Sequence, residues 1–249
     1  MGEMQKYRKV KIKKVLVTVS IGVVVIFLFY LIFINFLADK EQEAALSLWE
    51  IQKETLREDN VPKDAADSSA EIAVGSEGVE EVSNSYIGSY SGGDREGKID
   101  YNELTVEDFF PLKISIPKID LEQISYEGAD PRTLKEGPGH IAETPLPGDV
   151  GRCTISGHRT TYGAPFKKID RLENGDLIYL ETIKGELFIY AVTGLEIVKP
   201  KDVYILEGTD KKELLLTSCY PEYSAAERII LISELINIYP LELASAENK

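Results

Sequence analysis

Residues 213–221 read Glu-Leu-Leu-Leu-Thr-Ser-Cys-Tyr-Pro. The leucine run predicts a buried β-strand, because a short and continuous apolar run is typical of a strand covered on both faces. Pro221 has no N–H to donate to a strand ladder, so the strand is expected to end just before it. Cys219 is therefore predicted to lie at a strand end beside a loop, where a thiol can meet a substrate. The alternative is a buried structural cysteine that packs as a small hydrophobic side chain.

Further β-rich runs lie on both sides of this stretch. They cover residues 112–116, 176–180, 186–192 and 229–233. Glycine and proline separate them, at Gly137-Pro138-Gly139, Pro145–Gly148, Asn174-Gly175 and Lys199-Pro200. Many short strands with one or two short helices, at Pro131–Glu136 and Pro165–Leu172, predict a mostly β domain that forms a closed barrel or a sandwich.

The N-terminal region contains an uncharged run of 23 residues from Val15 to Leu37. At about 1.5 Å per residue a helix of this length crosses a hydrocarbon core of about 30 Å. A cleaved signal peptide is the alternative, but its apolar region would be roughly 7–15 residues long. The longer run favours an uncleaved anchor. The basic residues before it place the N-terminus in the cytoplasm and the rest of the chain outside.

Five segments are therefore predicted along the chain. They are a cytoplasmic basic segment (1–14), a transmembrane helix (15–37), an extracytoplasmic helix followed by a disordered acidic tether (38–100), a folded domain (101–241) and a polar tail (242–249). The tether is predicted from its serine, glycine and acidic content, which leaves little apolar surface to bury.

Charge and residue counts exclude several functions. The chain has 28 basic and 42 acidic side chains, of which six and one lie before residue 38, so 22 basic and 41 acidic residues follow. Nucleic-acid binding depends on lysine and arginine contacts to phosphates, so no nucleic-acid partner is predicted. Two cysteines and two histidines are too few for a disulfide scaffold and have no metal-ligand spacing. Neither a metal nor another cofactor is expected.

Two residues could act together with Cys219. His158 follows the strand-like run 152–156, and Gly157 before it permits a sharp turn or a close backbone approach. An imidazole near a thiol can hold its proton, stabilise the thiolate and later protonate a leaving amine. Arg228 opens an apolar run after Cys219, and its permanent charge can stabilise an oxyanion. The alternatives are a surface histidine and a salt bridge from Arg228 to Glu227 or to another of the many acidic residues.

The remaining histidine and cysteine are predicted to be structural. His140 follows a Gly-Pro-Gly turn and is interpreted as loop packing rather than as a second base. Cys153 shares a strand face with Ile155 and is expected in the core. A disulfide between Cys153 and Cys219 would consume the nucleophile and is not predicted.

These motifs together resemble the sortase family of cysteine transpeptidases. The resemblance rests on Ile155–Phe166 (ISGHRTTYGAPF), on Leu215–Pro221 (LLTSCYP) and on Arg228, and it covers about Phe110 to Leu235. Gly137–His140, Leu146–Gly148, Gly175-Asp176 and Val198–Pro200 also fall where that family places similar residues. The histidine-containing run is most similar to class E and class D sortases.

The resemblance implies an eight-stranded β-barrel and a role for each site residue. Cys219 would be the nucleophile, His158 the acid and base, and Arg228 the stabiliser of the transition state. Thr217, Ser218 and Tyr220 are expected to contact the substrate. Leu215 and Ser218 replace the two threonines of the usual motif, so these contacts are expected to differ in detail.

The implied reaction cleaves a sorting motif, Leu-Pro-x-Thr-Gly or the variant Leu-Ala-x-Thr-Gly, in surface proteins. The acyl group would pass to an amine of a peptidoglycan precursor or to a pilin lysine. A pilin-polymerising sortase is the alternative within the family, although residues 107–110 (Glu-Asp-Phe-Phe) lack the proline of the usual lid motif. Hydrolysis by water and a non-catalytic module that binds the cell wall are further alternatives.

Overall fold

The β-rich runs form eight strands that close into a barrel in the order β1-β2-β3-β4-β7-β8-β6-β5. The computed structural model describes residues 2–59 and 105–240. The strands are β1 (Leu112–Ile116), β2 (Leu121–Glu127), β3 (Gly139–His140), β4 (Gly151–Ser156), β5 (Leu177–Thr182), β6 (Glu186–Val198), β7 (Lys212–Tyr220) and β8 (Glu227–Pro240). The predicted mostly β, eight-stranded closed barrel is confirmed.

The observed strands differ from the predicted runs where pairing with other strands, and not the local sequence pattern, determines the extent of a strand. β2 and β3 were not among the predicted runs, because β2 mixes charged and apolar residues and β3 has only two residues. β3 exists because it pairs in parallel with β2 and antiparallel with β4. β6 and β8 extend well beyond their predicted runs, because each is the long antiparallel partner of the other.

Within the described residues three α-helices accompany the barrel: α1 (Gly2–Asp59), α2 (Val106–Phe109) and α3 (Thr133–Glu136). α3 lies within the predicted Pro131–Glu136 helix. Of the predicted Pro165–Leu172 helix, only the 3-10 turn Ile169–Arg171 forms. The predicted tether beyond residue 59 and the polar tail lie outside the described residues.

Helix α1 is continuous through the predicted membrane boundary near residue 37. It contains a stretch that is long and apolar enough to cross a membrane by length and composition. Its second half packs along β2, where Trp49 is 2% exposed and contacts Ile124 and Ile183. The predicted extracytoplasmic helix is therefore the direct continuation of the apolar run.

Side chains of β7 and β8 alternate between the two faces of the barrel wall. Leu214 and Leu216 point into the main core. Leu215 packs on the outer face, in a smaller cluster with Val198 and Ile230. This two-residue period determines which functional groups face out of the barrel.

Tyr190 provides a test of the core. Its ring is fully buried, and its hydroxyl oxygen accepts a hydrogen bond from the N–H of Gly148 at 2.9 Å. Tyr190→Phe leaves that buried N–H without its partner and is expected to lower the free energy of unfolding by about 1–3 kcal/mol. Thermal unfolding of the full chain in detergent should show a lower Tm. Tyr204→Phe, which alters a side chain that is 50% exposed, is the control; equal Tm values for the two variants would contradict the assignment.

Candidate active site

Cys219 and Arg228 face each other across neighbouring strands. Cys219 lies one residue before the end of β7, and its Cα is the register partner of Arg228 at the start of β8. Side chains an even number of residues apart in a strand point to the same face. Cys219 therefore shares the outer face with Leu215, and Arg228 shares it with Ile230. Both side chains are half-buried. The two residues are therefore neighbours on the outer face of the barrel wall.

His158 reaches the same place from the other side of β7. β4 and β7 run parallel, with Ser156 opposite Thr217, and the ladder continues where the N–H of Gly157 donates to the carbonyl of Thr217 at 3.0 Å. The next residue, His158, follows at the level of Cys219. The three predicted catalytic residues thus lie on the neighbouring strand ends of β4, β7 and β8.

The loop after His158 is fixed by the residues around it. The N–H of Phe166 donates to the His158 carbonyl at 3.1 Å. The buried guanidinium of Arg159 donates to the Phe166 carbonyl at 3.1 Å and pairs with Asp170 at 2.9 Å. A Cβ on Gly157 would lie 2.7 Å from the Phe166 ring, so the predicted close approach at this glycine occurs. These contacts close residues 157–170 into an anchored loop.

The three residues predicted to contact substrate differ in their placement. Thr217 lies on the outer face with Cys219, and Tyr220 is half-buried next to it. Ser218 is 2% exposed on the opposite face, and its hydroxyl donates to the Gly157 carbonyl at 2.7 Å. For Ser218 this placement favours a structural role over the predicted substrate contact, because its hydroxyl is already used to join β7 to the residue before His158.

Burial lowers the pKa of His158 below its ordinary value. Part of this burial comes from the ring of Tyr162, whose centroid lies 5.0 Å from the imidazole. Desolvation disfavours the charged imidazolium, so the ring accepts a proton only under more acidic conditions than a free histidine does. His158 is therefore neutral at pH 7 unless a nearby negative charge stabilises the imidazolium.

Arg228 is held by backbone groups and not by a carboxylate. It donates to the carbonyls of Ala225 and Glu227 at 3.2 and 3.0 Å. Among the described residues no carboxylate lies within ion-pair distance of it, so the alternative of a salt bridge with the Glu227 side chain does not form. Within the described part of the chain its positive charge therefore has no carboxylate partner. A surface depression lined by Lys199, Pro200, Lys201, Ala226 and Glu227 opens next to it.

Cys153 and His140 lie away from this site. Cys153 is a free thiol that is 1% exposed in the main core, and burial raises its pKa. His140 is buried on β3, where its Nδ1 lies 2.8 Å from Glu127 and its ring stacks on Phe110. It packs as predicted, although on a strand and not in a loop. Within the described part of the chain no histidine, cysteine and carboxylate group could hold a metal ion.

Comparison with known proteins identifies the family. The sortase-domain profile matches residues 114–236, which include all eight strands in whole or in part. The chain belongs to the sortase family. Sortase D of Bacillus subtilis is 38% identical over 109 residues, which are 43% of this chain and 53% of that protein. Sortase SrtE1 of Streptomyces coelicolor is 32% identical over 143 residues, 51% of this chain and 40% of that protein.

This sortase is also similar to a relative of known structure. The crystal structure of sortase E1 from Streptomyces coelicolor with a tripeptide in the active site superposes with a TM-score of 0.50 at 28% identity. The match covers 55% of this chain and 93% of that one. The chain spans about half the length of the curated relatives it matches.

Several residues that shape the site were not predicted from the sequence. Arg159 and Asp170 hold the His158 loop, and Tyr162 shields the imidazole. Asn35, in the apolar run, accepts a hydrogen bond from the N–H of Gly163. Arg159 could have been noticed as a charged neighbour of His158. The contact of Asn35 joins residues 128 positions apart and has no local signal.

The two thiols are expected to react differently with an alkylating reagent. Cys219 is half-buried at the surface, whereas Cys153 is enclosed and its thiolate is disfavoured. The native chain should take one label, on Cys219, and a second only after unfolding. Peptide mass spectrometry of wild type, Cys219→Ala and Cys153→Ala locates the label. Labelling of Cys153 in the native chain would contradict the assignment of the two faces.

Proposed function

We propose that this sortase is a membrane-anchored cysteine transpeptidase with Cys219 as nucleophile, His158 as acid and base, and Arg228 as oxyanion stabiliser. The observation that supports it best is the placement of a cysteine, a histidine and an arginine at three neighbouring strand ends, the arginine having no carboxylate partner among the described residues. Each group has a different task in acyl transfer.

The first half-reaction forms a thioester. The Cys219 thiol gives its proton to His158, and the thiolate attacks the carbonyl carbon of the scissile peptide bond. Negative charge that develops on the carbonyl oxygen is stabilised by the Arg228 guanidinium. The C–N bond then breaks, and the leaving amine takes the proton from His158. The acyl half remains bound to sulfur.

The second half-reaction releases the acyl group. An amine attacks the thioester carbonyl and gives a proton to His158, while Arg228 again faces the oxyanion. The C–S bond breaks, and the thiolate recovers its proton from the imidazolium. Water in place of the amine would give hydrolysis, so the acceptor determines whether the enzyme joins or only cleaves chains.

The proposed substrate is a surface protein with a Leu-Pro-x-Thr-Gly-like sorting motif, or the Leu-Ala-x-Thr-Gly variant. The proposed acceptor is an amine of the peptidoglycan precursor. A peptide substrate is supported by the tripeptide in the active site of the sortase E1 relative. Similarity to sortase D and to SrtE1 supports the class D or class E assignment. The apolar part of α1 supports a single-pass anchor with the N-terminus in the cytoplasm and the barrel outside the cell.

The pilin-polymerising alternative is disfavoured by the segment before the barrel. Phe109 packs against Phe188 at 5.9 Å, and Phe110 stacks on His140 at 5.0 Å. Asp108 pairs with Lys184. These contacts bind residues 108–110 to other parts of the barrel, so the acidic-aromatic segment is not free to cover Cys219. Transfer to a pilin lysine is therefore the second candidate.

A peptide-cleavage assay distinguishes the proposed transpeptidase from a non-catalytic binding module. The full chain in detergent, mixed with a quenched Leu-Pro-x-Thr-Gly peptide and triglycine, is expected to release fluorescence and form an amine adduct. Cys219→Ala should abolish both, and Cys153→Ala should retain them. Arg228→Lys keeps the charge but loses the planar donor set, so its kcat should fall by roughly 10²–10³-fold. Cleavage that survives in Cys219→Ala would end the proposal.

The pH dependence follows from the burial of His158. A proton shared by Cys219 and His158 gives a bell-shaped kcat/KM profile whose two apparent pKa values belong to the pair. Burial lowers the pKa of His158, so the acidic limb is expected below pH 6.5, the ordinary value for histidine. Tyr162→Ala exposes the imidazole and should move that limb to higher pH. An acidic limb that is unchanged in both Tyr162→Ala and His158→Ala would contradict this assignment.

A further inference from the structure

One face of helix α1 lies against the barrel over a long stretch. Between Leu31 and Leu56 the residues with reduced exposure recur every three or four positions. They are Leu31, Ile34, Asn35, Ala38, Gln42, Ala45, Leu46, Trp49, Lys53 and Leu56. This spacing is that of one helix face. Because the stripe begins inside the apolar run, the barrel contacts the end of the proposed membrane span as well as the helix beyond it.

Gln42 fixes the position of the helix along the barrel. It is 5% exposed, and its carboxamide binds both backbone groups of Ile124 on β2: Oε1 accepts from the N–H at 2.9 Å and Nε2 donates to the carbonyl at 3.2 Å. Nε2 also donates to the carbonyl of Glu136 at the end of α3. A glutamine with all these groups satisfied in a buried position specifies one register of helix against strand.

A cluster of largely buried charged side chains holds the next turns of α1 against the barrel. The ammonium groups of Lys53 and Lys113 lie 4.8 and 4.7 Å from the centroid of the Trp49 ring. Both lysines pair with Glu181 on β5. Burial alone would lower the pKa of Lys113, but attraction by Glu181 and a hydrogen bond to Glu50 on the helix raise it. The helix is thus bound to β1 and β5, which are neighbouring strands of the barrel wall.

The same helix face reaches the loop that carries His158. The side-chain oxygen of Asn35 accepts a hydrogen bond from the N–H of Gly163 at 3.1 Å. A Cβ on Gly163 would meet Asp39 at 3.0 Å and Ala38 at 3.8 Å, so the helix lies directly against this backbone. The neighbouring Tyr162 is the residue whose ring shields the His158 imidazole.

The contacted turn has an unusual backbone. Tyr162, Gly163 and Ala164 have φ angles of 52, 71 and 46°, in the left-handed region. Residues other than glycine rarely adopt this conformation, and it persists where surrounding contacts hold it. Asn35 supplies one such contact from the helix side, and the N–H of Ala164 donates to the Thr161 carbonyl at 2.9 Å within the loop.

We propose that the docked part of α1 is a positioning element of the active site, in which Asn35 holds the Tyr162–Ala164 turn and thereby the orientation of His158. This proposal rests on the proposed function of His158. It makes Asn35 and Gln42 positioning residues, and it makes catalytic efficiency depend on a helix that continues into the membrane anchor. A barrel separated from this helix would keep its thiol but lose the fixed orientation of the imidazole.

The test uses four variants of the full chain in detergent or lipid nanodiscs. Asn35→Leu removes the acceptor for the Gly163 N–H, whereas Asn35→Asp keeps a side-chain oxygen at that place. Gln42→Leu removes the docking bonds, and Gln52→Leu makes the same change on the exposed face of the helix. Two readouts are measured: amide hydrogen exchange of residues 160–166, and kcat and KM for peptide cleavage.

In Asn35→Leu and Gln42→Leu the amide hydrogens of residues 160–166 are expected to exchange roughly 2- to 12-fold faster than in wild type. This is the change that the loss of one net hydrogen bond implies. Their kcat should fall by about 10- to 100-fold with little change in KM, because the imidazole and not the peptide contact is displaced. Asn35→Asp should restore most of the loss. Gln52→Leu should match wild type in both readouts.

Each contrary result has a distinct meaning. Wild-type exchange and kcat in both Asn35→Leu and Gln42→Leu would overturn the proposal. Faster exchange with unchanged kcat would overturn it as well, since the turn would then be held by the helix without effect on His158. Lost activity without faster exchange would equally exclude positioning through this turn. If wild type itself cleaves no peptide, or if Cys219→Ala still cleaves it, the proposed function fails, and that result is separate from the exchange data.

Discussion

The parallel ladder between β4 and β7 is the constraint on which the rest of the site depends. Two parallel neighbours end at the same edge of a sheet, so the residues that follow them meet although they are far apart in sequence. The pairing of Ser156 with Thr217, and the hydrogen bond from Ser218 to the Gly157 carbonyl, bring His158 to the level of Cys219. The antiparallel return of β8 then places Arg228 on the other side of the thiol.

The barrel wall also gives its two cysteines different chemistry. Cys153 on β4 and Cys219 on β7 lie on adjacent strands but on opposite faces. The inner face buries the thiol of Cys153 among apolar side chains, which raises its pKa and excludes reagents. The outer face leaves Cys219 half-buried, with Arg228 as its register partner on the next strand. Strand alternation alone therefore separates a packing thiol from one that is available for nucleophilic attack.

Much of the barrel, and the position of the three candidate residues at strand ends, could be predicted from local sequence, because these signals are local. Pro221 marks the end of β7, and residues 112–116 show the alternation of β1 at its observed boundaries. β3 could not be predicted, since two residues become a strand only through partners elsewhere. The inward direction of the Ser218 side chain and the docking of α1 on the barrel could not be predicted from the sequence either. Both depend on contacts across the fold, such as that of Gln42 with Ile124 over 82 positions.

The convergence of Cys219, His158 and Arg228 is tested most directly by a crystal structure of the full chain with a bound sorting-motif peptide. The peptide would be joined to Cys219 through a disulfide that replaces the scissile bond. We expect the His158 imidazole and the Arg228 guanidinium to lie on opposite sides of the Cys219 sulfur. The guanidinium should be about 3 Å from the position of the carbonyl oxygen. A bound peptide with either side chain turned away from the sulfur would contradict the account.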